Sequence, residues 1–306
     1  MEPSEIFSGE LVKTVCNKSL TPKEELDQNF LIDWNIPKNE ASYAKIDEDD
    51  SILEIGPGFG ILTCILADQA KKIITIEKDT RFRPILSNIS ERYEGINIIY
   101  DDVLEHDLND LRFNKVVANL PYGISLPILF ELVDIEFDSA ILLIQEDLAE
   151  RLTKSPGDKG YNRLSVQFYR RCNINTLEKV DEEAFYPPPD VSSEIIRIDN
   201  IRPKFDIPSE EFFRKVLMFL FSQRDNSIRN SLYELSESTD SIDLSTTDLV
   251  KLEKESKDIM DKEVKYTKSK EFGIVTRFLW NRFDNSAGDA IEQYFDRNNL
   301  YKRAQE

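Results

Sequence analysis

The residues in this chain best suited to chemistry are Asn119-Leu120-Pro121-Tyr122. An exocyclic amine on an aromatic ring is a poor nucleophile, because its lone pair is delocalised into the ring. The Asn119 side-chain oxygen and the Leu120 backbone carbonyl can accept the two N–H bonds of such an amine. That holds the nitrogen in place and favours a tetrahedral geometry as positive charge develops on it, which is electrostatic preorganisation. Pro121 stiffens the loop. The Tyr122 ring can stack on a nucleobase, a contact of ~1–3 kcal/mol.

Three further features surround this tetrapeptide in the sequence. Ile52-Leu53-Glu54-Ile55 runs into Gly56-Pro57-Gly58-Phe59-Gly60. The glycines let the backbone turn tightly and approach a ligand, and a helix starting at Ile61 offers its first N–H groups to an anion. Glu77 follows the apolar run Ile73-Ile74-Thr75-Ile76, where a carboxylate can accept both hydroxyls of a ribose. Asp102, with Asp101 beside it, follows Ile96–Tyr100 and can accept the amino group of an adenine. Asp102 is preferred because Asp102-Val103-Leu104 has the acid-small-apolar form expected at a strand tip. The order ExGxGxG differs from the dinucleotide fingerprint GxGxxG. It resembles the turn of S-adenosylmethionine (SAM) methyltransferases, which lies along the methionine part of that cofactor.

Holding these residues together requires strands and helices in alternation. Strands are expected at 52–55, 72–79, 96–100, 115–118, 139–145, 174–180 and 194–198, and helices at 61–67, 81–93, 127–133, 146–153 and from Tyr161 to Arg170-Arg171. The polar turn 155–160 is read as a mobile lip and Phe185–Val191 as a stiff proline-rich stretch. Residues 1–26 read as an amphipathic extension (Ile6, Leu11, Val12, Val15) packed on the main domain. Gln28–Asp33 reads as a short apolar patch at a helix start, with Asp33 or Asn35 as the cap. The pattern is α/β: a seven-stranded, mostly parallel, Rossmann-like methyltransferase sheet over residues 1–200, then a smaller helical C-terminal domain over 201–306.

Composition narrows the function. The net charge is −19 over 306 residues, which argues against general affinity for nucleic acid while leaving room for a local basic face. Cys16, Cys64 and Cys172 lie far apart with no CxxC, so neither a disulfide framework nor a metal site is expected. His106 is the only histidine, which argues against His-based catalysis, and it is expected at the surface. No apolar run approaches the ~20 residues of a membrane span, and the N-terminus lacks the pattern of a signal peptide. The reading is a cytoplasmic, monomeric protein with no membrane or metal partner.

The chain resembles the rRNA adenine dimethyltransferase family, in its archaeal or eukaryotic form. The matching stretches are QNFLID (28–33), ILEIGPGFGILT (52–63), ITIEKD (74–79), DVLEHDL (102–108), ANLPYGIS (118–125), ERLTKSPGDKGYNRLSV (150–166) and FYPPPDVSSEIIRI (185–198). They cover roughly residues 20–200 in order. The resemblance implies SAM-dependent dimethylation of two adjacent adenosines near the 3′ end of small-subunit rRNA, with the small-subunit precursor as partner. It implies that Gln28, Asn29 and Leu31 lie against SAM and that Gly56, Gly58 and Gly60 line its methionine end. Glu77 would hold the ribose, Asp102 the cofactor adenine, and Asn119, Leu120, Pro121 and Tyr122 the target base. Phe185, Pro187 and Pro188 would form the opposite wall, and Arg224 and Arg229 the start of a basic docking cluster.

There are departures from the family pattern. Asp27 stands where the family has glycine or a similarly small residue, and Asp225 and Asn226 occupy places usually basic. Residues 234–263 hold ten acids against four lysines, a segment read as a solvated helix pair with a flexible acidic loop. Two alternatives follow from the same residues: a methyltransferase acting on one adenine of large-subunit rRNA, and a non-catalytic assembly or transcription factor built on the same fold.

Overall fold

In the computed structural model, the structure describes residues 8–239, 242–243, 252 and 259–298. They group into two compact units: the described residues of 1–150 with 172–201, and those of 151–171 with 202–306. The segment 151–171, placed by the sequence reading in the first domain, therefore groups with the second.

The first unit begins with α1 (Gly9–Lys18), β1 (Phe30–Leu31) and α2 (Asn35–Ala44). Then come β2 (Ser51–Ile55), α3 (Ile61–Ala67), β3 (Lys72–Ile76), α4 (Arg83–Arg92), β4 (Ile96–Ile99) and β5 (Lys115–Asn119). After α5 (Tyr122–Leu132), β6 (Ser139–Gln145) and α6 (Glu146–Thr153), and beyond α7 (Arg163–Arg171), the sheet is completed by β7 (Cys172–Val180) and β9 (Ser193–Asn200). Between those two strands, β8 (Phe185–Tyr186) pairs with β1.

The seven-stranded sheet has the order β4-β3-β2-β5-β6-β9-β7. Its first five strands are parallel, and β9 runs antiparallel to both β6 and β7. Val116, Val117, Ala118 and Ala140–Ile144 are wholly or nearly excluded from solvent, as expected of strands covered on both faces. The chain runs from β2 outward to β4, then returns to lay β5 against the other side of β2. That reversal is the topological switch point at which open α/β sheets bind ligands.

Two expectations are corrected and one is extended. Phe30–Leu31 precedes a helix as read, but it also pairs antiparallel with Phe185–Tyr186, in register Phe30↔Tyr186 and Leu31↔Phe185. Asp33 does serve the helix that follows, because its Oδ1 accepts the Asn35 N–H at 2.9 Å. Helix α5 starts at Tyr122 rather than Pro127, since a proline tolerated inside the helix is easily read as its beginning. In α1, Val12 and Cys16 are buried with Phe59, Phe82 and Leu86, while Leu11 is exposed. Ile6 lies outside the described residues.

The second unit is helical: α7, α8 (Glu210–Ser222), α9 (Ile228–Ser238), α10 (Ser269–Phe283) and α11 (Asn285–Asn298). Its core gathers Phe213, Val216, Leu220, Leu232, Phe272, Leu279 and Phe295 with Tyr161 and Val166. Within the unit, the Gly157 N–H donates to the Lys265 carbonyl at 2.8 Å, tying down the 155–160 turn. Arg170, 5% exposed, donates from Nη1 to both Glu210 oxygens at 2.7 and 2.8 Å. Of the acidic stretch, Ile242, Leu252, Ile259 and Met260 are buried in this core, whereas 240–241, 244–251 and 253–258 lie outside the described residues.

Candidate active site

A pocket opens at the C-terminal ends of β2, β3 and β5, and most of the residues singled out from sequence line it. Gln28, Asn29, Leu31, Gly56, Gly58, Glu77, Asp102, Asn119, Leu120, Pro121, Tyr122 and Phe185 all do so. Gly60, Pro187 and Pro188 are not among its lining residues. A Cβ at Gly60 would come within 2.3 Å of Ile89 Cδ1, and the residue has φ of +75°, so its glycine serves the packing of α3 on α4. Arg224 and Arg229 belong to the second unit, where Arg229 Nε donates to Asp261 Oδ1 at 3.1 Å.

The glycine turn is held from below by aromatic rings. Phe30, Phe59 and Phe82 meet edge to face with centroids 4.9–5.6 Å apart, locking β1, the turn and the start of the segment after β3 together. From above, Glu77 accepts the Gly58 N–H at 2.9 Å and the Asp79 N–H at 2.7 Å. Burial raises the Glu77 carboxyl above its ordinary range, against the lowering effect of these N–H donors. Gln28 is held at both ends of its amide: Oε1 accepts the Lys23 N–H at 2.9 Å and Nε2 donates to Asp79 at 2.8 Å. Asp79 is itself clamped by Arg81; burial opposes its ionisation, but the guanidinium and Gln28 prevail and bring its carboxyl down to about 2. Asp102 pairs with Lys78 at 2.6 Å.

The second motif is fixed just as firmly. The Leu120 N–H donates to the Leu143 carbonyl of β6 at 3.1 Å, which sets the peptide that follows Asn119. The Tyr122 hydroxyl lies 2.5 Å from Ser193 Oγ, so the ring is anchored at its far end to β9. The Asn119 amide lies against the wholly buried Glu40, and the orientation that satisfies both groups puts its nitrogen toward the carboxylate, donating to both oxygens, 3.1 Å away in the case of Oε2. The amide oxygen is thereby left for another donor.

Residues 20–269 match the family described as ribosomal RNA adenine dimethylase. The chain belongs to that family. A probable ribosomal RNA small subunit methyltransferase A from Methanococcus maripaludis strain C6 is 41% identical over 213 residues, 70% of this chain and 81% of the relative. A relative of the same name from Methanococcus aeolicus is 37% identical over 270 residues, covering 86% of this chain and 98% of its own. The crystal structure of a dimethyladenosine transferase from Plasmodium falciparum shares the fold, with a TM-score of 0.69 at 24% identity over 85% of this chain and 98% of that one.

The rRNA adenine dimethylases are enzymes that take their methyl group from SAM, and the pocket suits that donor. Glu54, 1% exposed and lining the pocket, is buried with only the Thr63 hydroxyl (2.7 Å) as its side-chain donor. Burial, with help from the Glu77 charge, pushes its carboxyl up to about 8. A buried carboxyl raised in this way becomes complementary to a cationic ligand, such as a sulfonium or an ammonium, once that ligand's charge favours its ionised form. Glu54, Asp27 and Glu40 are the residues the sequence reading did not assign. Glu54 carried a signal, as the acid of ExGxGxG. Asp27 showed only as a departure from the family, and nothing local marked Glu40. Among the described residues there is no group of three or more His, Cys, Asp or Glu able to hold a metal ion, and no helix long and apolar enough to cross a membrane.

Proposed function

We propose that this dimethylase modifies the exocyclic amines of two adjacent adenosines near the 3′ end of small-subunit rRNA, acting in the cytoplasm as a monomer on a precursor of the small subunit. The observation that carries the reading is the meeting of the two motifs across the switch point: an ideal Cβ at Gly56 would lie 3.6 Å from the Pro121 ring. The cofactor turn and the amine-holding loop thus share one pocket. The names of the Methanococcus relatives support the small subunit as the target.

SAM, when bound, would supply an electrophilic methyl group carried on a positively charged sulfur. Gln28, Asn29, Leu31, Gly56 and Gly58 would line that donor, Glu77 would take the ribose hydroxyls, and Asp102, once it parts from Lys78, the adenine amino group. The target adenosine leaves its stack to enter the pocket. Its ring lies on Tyr122, opposite Phe185. Its two N–H bonds go to the Asn119 oxygen and the Leu120 carbonyl, which aims the nitrogen. No strong base is needed, because the ammonium formed is acidic enough to lose its proton to water or a carbonyl. The second methylation needs room for the first methyl group; Gly123 does not supply it, because the Asp27 carboxylate stands where a Cβ at Gly123 would lie and Gly123 is not among the lining residues. The helical second unit, with Arg224 and Arg229, would dock the RNA.

The test is methyl transfer from radiolabelled SAM to small subunits lacking the modification, with purified rRNA and large subunits in parallel and the nucleosides separated afterwards. Dimethyladenosine from small subunits alone is the expected outcome. SAM binding without transfer to any substrate would overturn the catalytic reading, and label in large-subunit RNA would overturn the assignment of substrate.

A further inference from the structure

We propose that Glu40 is a positioning residue: its carboxylate holds the Asn119 amide by its nitrogen and so presents the amide oxygen to the incoming amine. The inference rests on the reading of Asn119 given above. An amide presents either a donor or an acceptor to the pocket, depending on a half-turn about its last bond. The target amine brings N–H donors, so only the oxygen-out orientation is productive. Water in the pocket does not select between the two, because it both donates and accepts; Glu40, wholly buried on α2, meets Asn119 at the end of β5 from the side away from solvent. The two acceptor oxygens of Glu40 select the productive one.

Helix α2 is itself anchored so that Glu40 cannot drift. On the same helix, Asn39 Nδ2 donates to Glu178 at 2.9 and 3.2 Å and the Tyr43 hydroxyl donates to the same carboxylate at 2.9 Å, tying α2 to β7. The groups that face Glu40 are therefore Asn119 from β5, Glu54 from β2 and Glu178 from β7, with Asn39 and Tyr43 engaged by Glu178 on its own helix. Burial raises the Glu40 carboxyl well above its ordinary range; the Asn119 bond pulls it back, and the charges of Glu54 and Glu178 add to the rise. The ionisation state consequently matters for turnover. A protonated Glu40 would have an O–H to donate, which the Asn119 oxygen would accept, turning the amide nitrogen toward the amine. Activity is then lost as pH falls through the pKa of Glu40.

The experiment compares Glu40→Leu, Glu40→Gln and Asn119→Ala in the full chain, measuring kcat against pH, SAM Kd and Tm. Glu40→Leu removes a buried acid and leaves an apolar residue of similar size, so it is expected to fold, with Tm unchanged or raised. Its kcat falls about tenfold, the worth of one hydrogen bond in the transition state, while SAM Kd stays within about twofold. Glu40→Gln keeps an acceptor without a titrating proton. Its kcat lies between those of the parent and Glu40→Leu, and the acid limb of the profile disappears. Parent-like kcat and pH profile in both variants would overturn the inference. Asn119→Ala separates the two readings: if it is inactive while Glu40→Leu is parent-like, the role of Glu40 alone fails, and if it turns over normally the role of Asn119 fails first.

Discussion

The Asp27 carboxylate accepts the Gly123 backbone N–H at 2.9 Å, across 96 residues of chain. Gly123 lies in the first turn of α5, directly after the amine-holding loop, where unpaired N–H groups and the helix dipole favour a negative partner. Asp27 reaches it from a left-handed conformation, with φ of +47°. The residue that departs from the family pattern is thus a clasp between the segment before β1 and the loop that holds the base. Asp27→Ala is expected to lower stability by about 1 kcal/mol, the usual worth of a helix N-terminal acceptor. Asp27→Gly should cost less, because glycine adopts that backbone without strain. Thermal melts of the two variants against the parent check the order, and equal melting temperatures in all three would show that the clasp carries no weight.

Replacing Asn119 tests the division of labour inside the pocket. Asn119→Ala should cut turnover by roughly 10²–10³-fold, the range found for loss of one preorganised transition-state partner. SAM binding, measured by calorimetry, should stay within about twofold of the parent. Equal losses in both would place Asn119 on the cofactor rather than on the target base.

Glu77→Ala removes the acceptor proposed for the ribose and also the brace on the Gly58 N–H. SAM affinity is expected to fall by about 10–100-fold, as for hydrogen bonds to a charged group. An unchanged dissociation constant would remove the ribose contact from the proposal.

Glu54 gives the pocket a pH signature. Its carboxyl, raised by burial to about 8, is largely neutral at pH 7 in the ligand-free protein. A cationic ligand favours the ionised form, so SAM should bind more tightly as pH rises through that value, by at most about tenfold per unit for one group. The difference between the parent and Glu54→Gln isolates the effect from titration of SAM itself. The same shift has the opposite sense for folding. The folded state holds the proton more firmly than the unfolded one, so the stability it confers is complete below the ordinary value of 4.5 and is lost as pH rises through about 8. The melting temperature of the ligand-free parent should therefore decline over that window more steeply than that of Glu54→Gln. Parallel profiles would remove Glu54 from both roles.

Much of this site could be read from the chain alone, because its chemistry is written in short contiguous pieces. ILEIGPGFG, the acids at Glu77 and Asp102, and NLPY each announce themselves by residue type, and short β-branched runs such as Lys115–Ala118 fit buried strands. The two short segments of β1 and β8 could not be read in this way, since a pair of residues has no period and their pairing joins positions 30–31 to 185–186. Nor could local pattern separate Gly60 from Gly56 and Gly58: all three have positive φ, but only the packed fold puts Ile89 where a Cβ at Gly60 would stand.

What the sequence by itself determined was the inventory and its order: the strands, the turn, the acids and the loop that can hold an amine. Only the tertiary structure decided which of them meet, because the return of β5 to the side of β2 is a long-range event with no local signature. Glu40 illustrates the difference. In sequence it is one acid among many in a chain of net charge −19, and in the fold it is wholly buried against Asn119. Burial without solvent is what turns an ordinary carboxylate into a partner that selects one orientation of an amide, and burial is a property of the folded neighbourhood rather than of the residue.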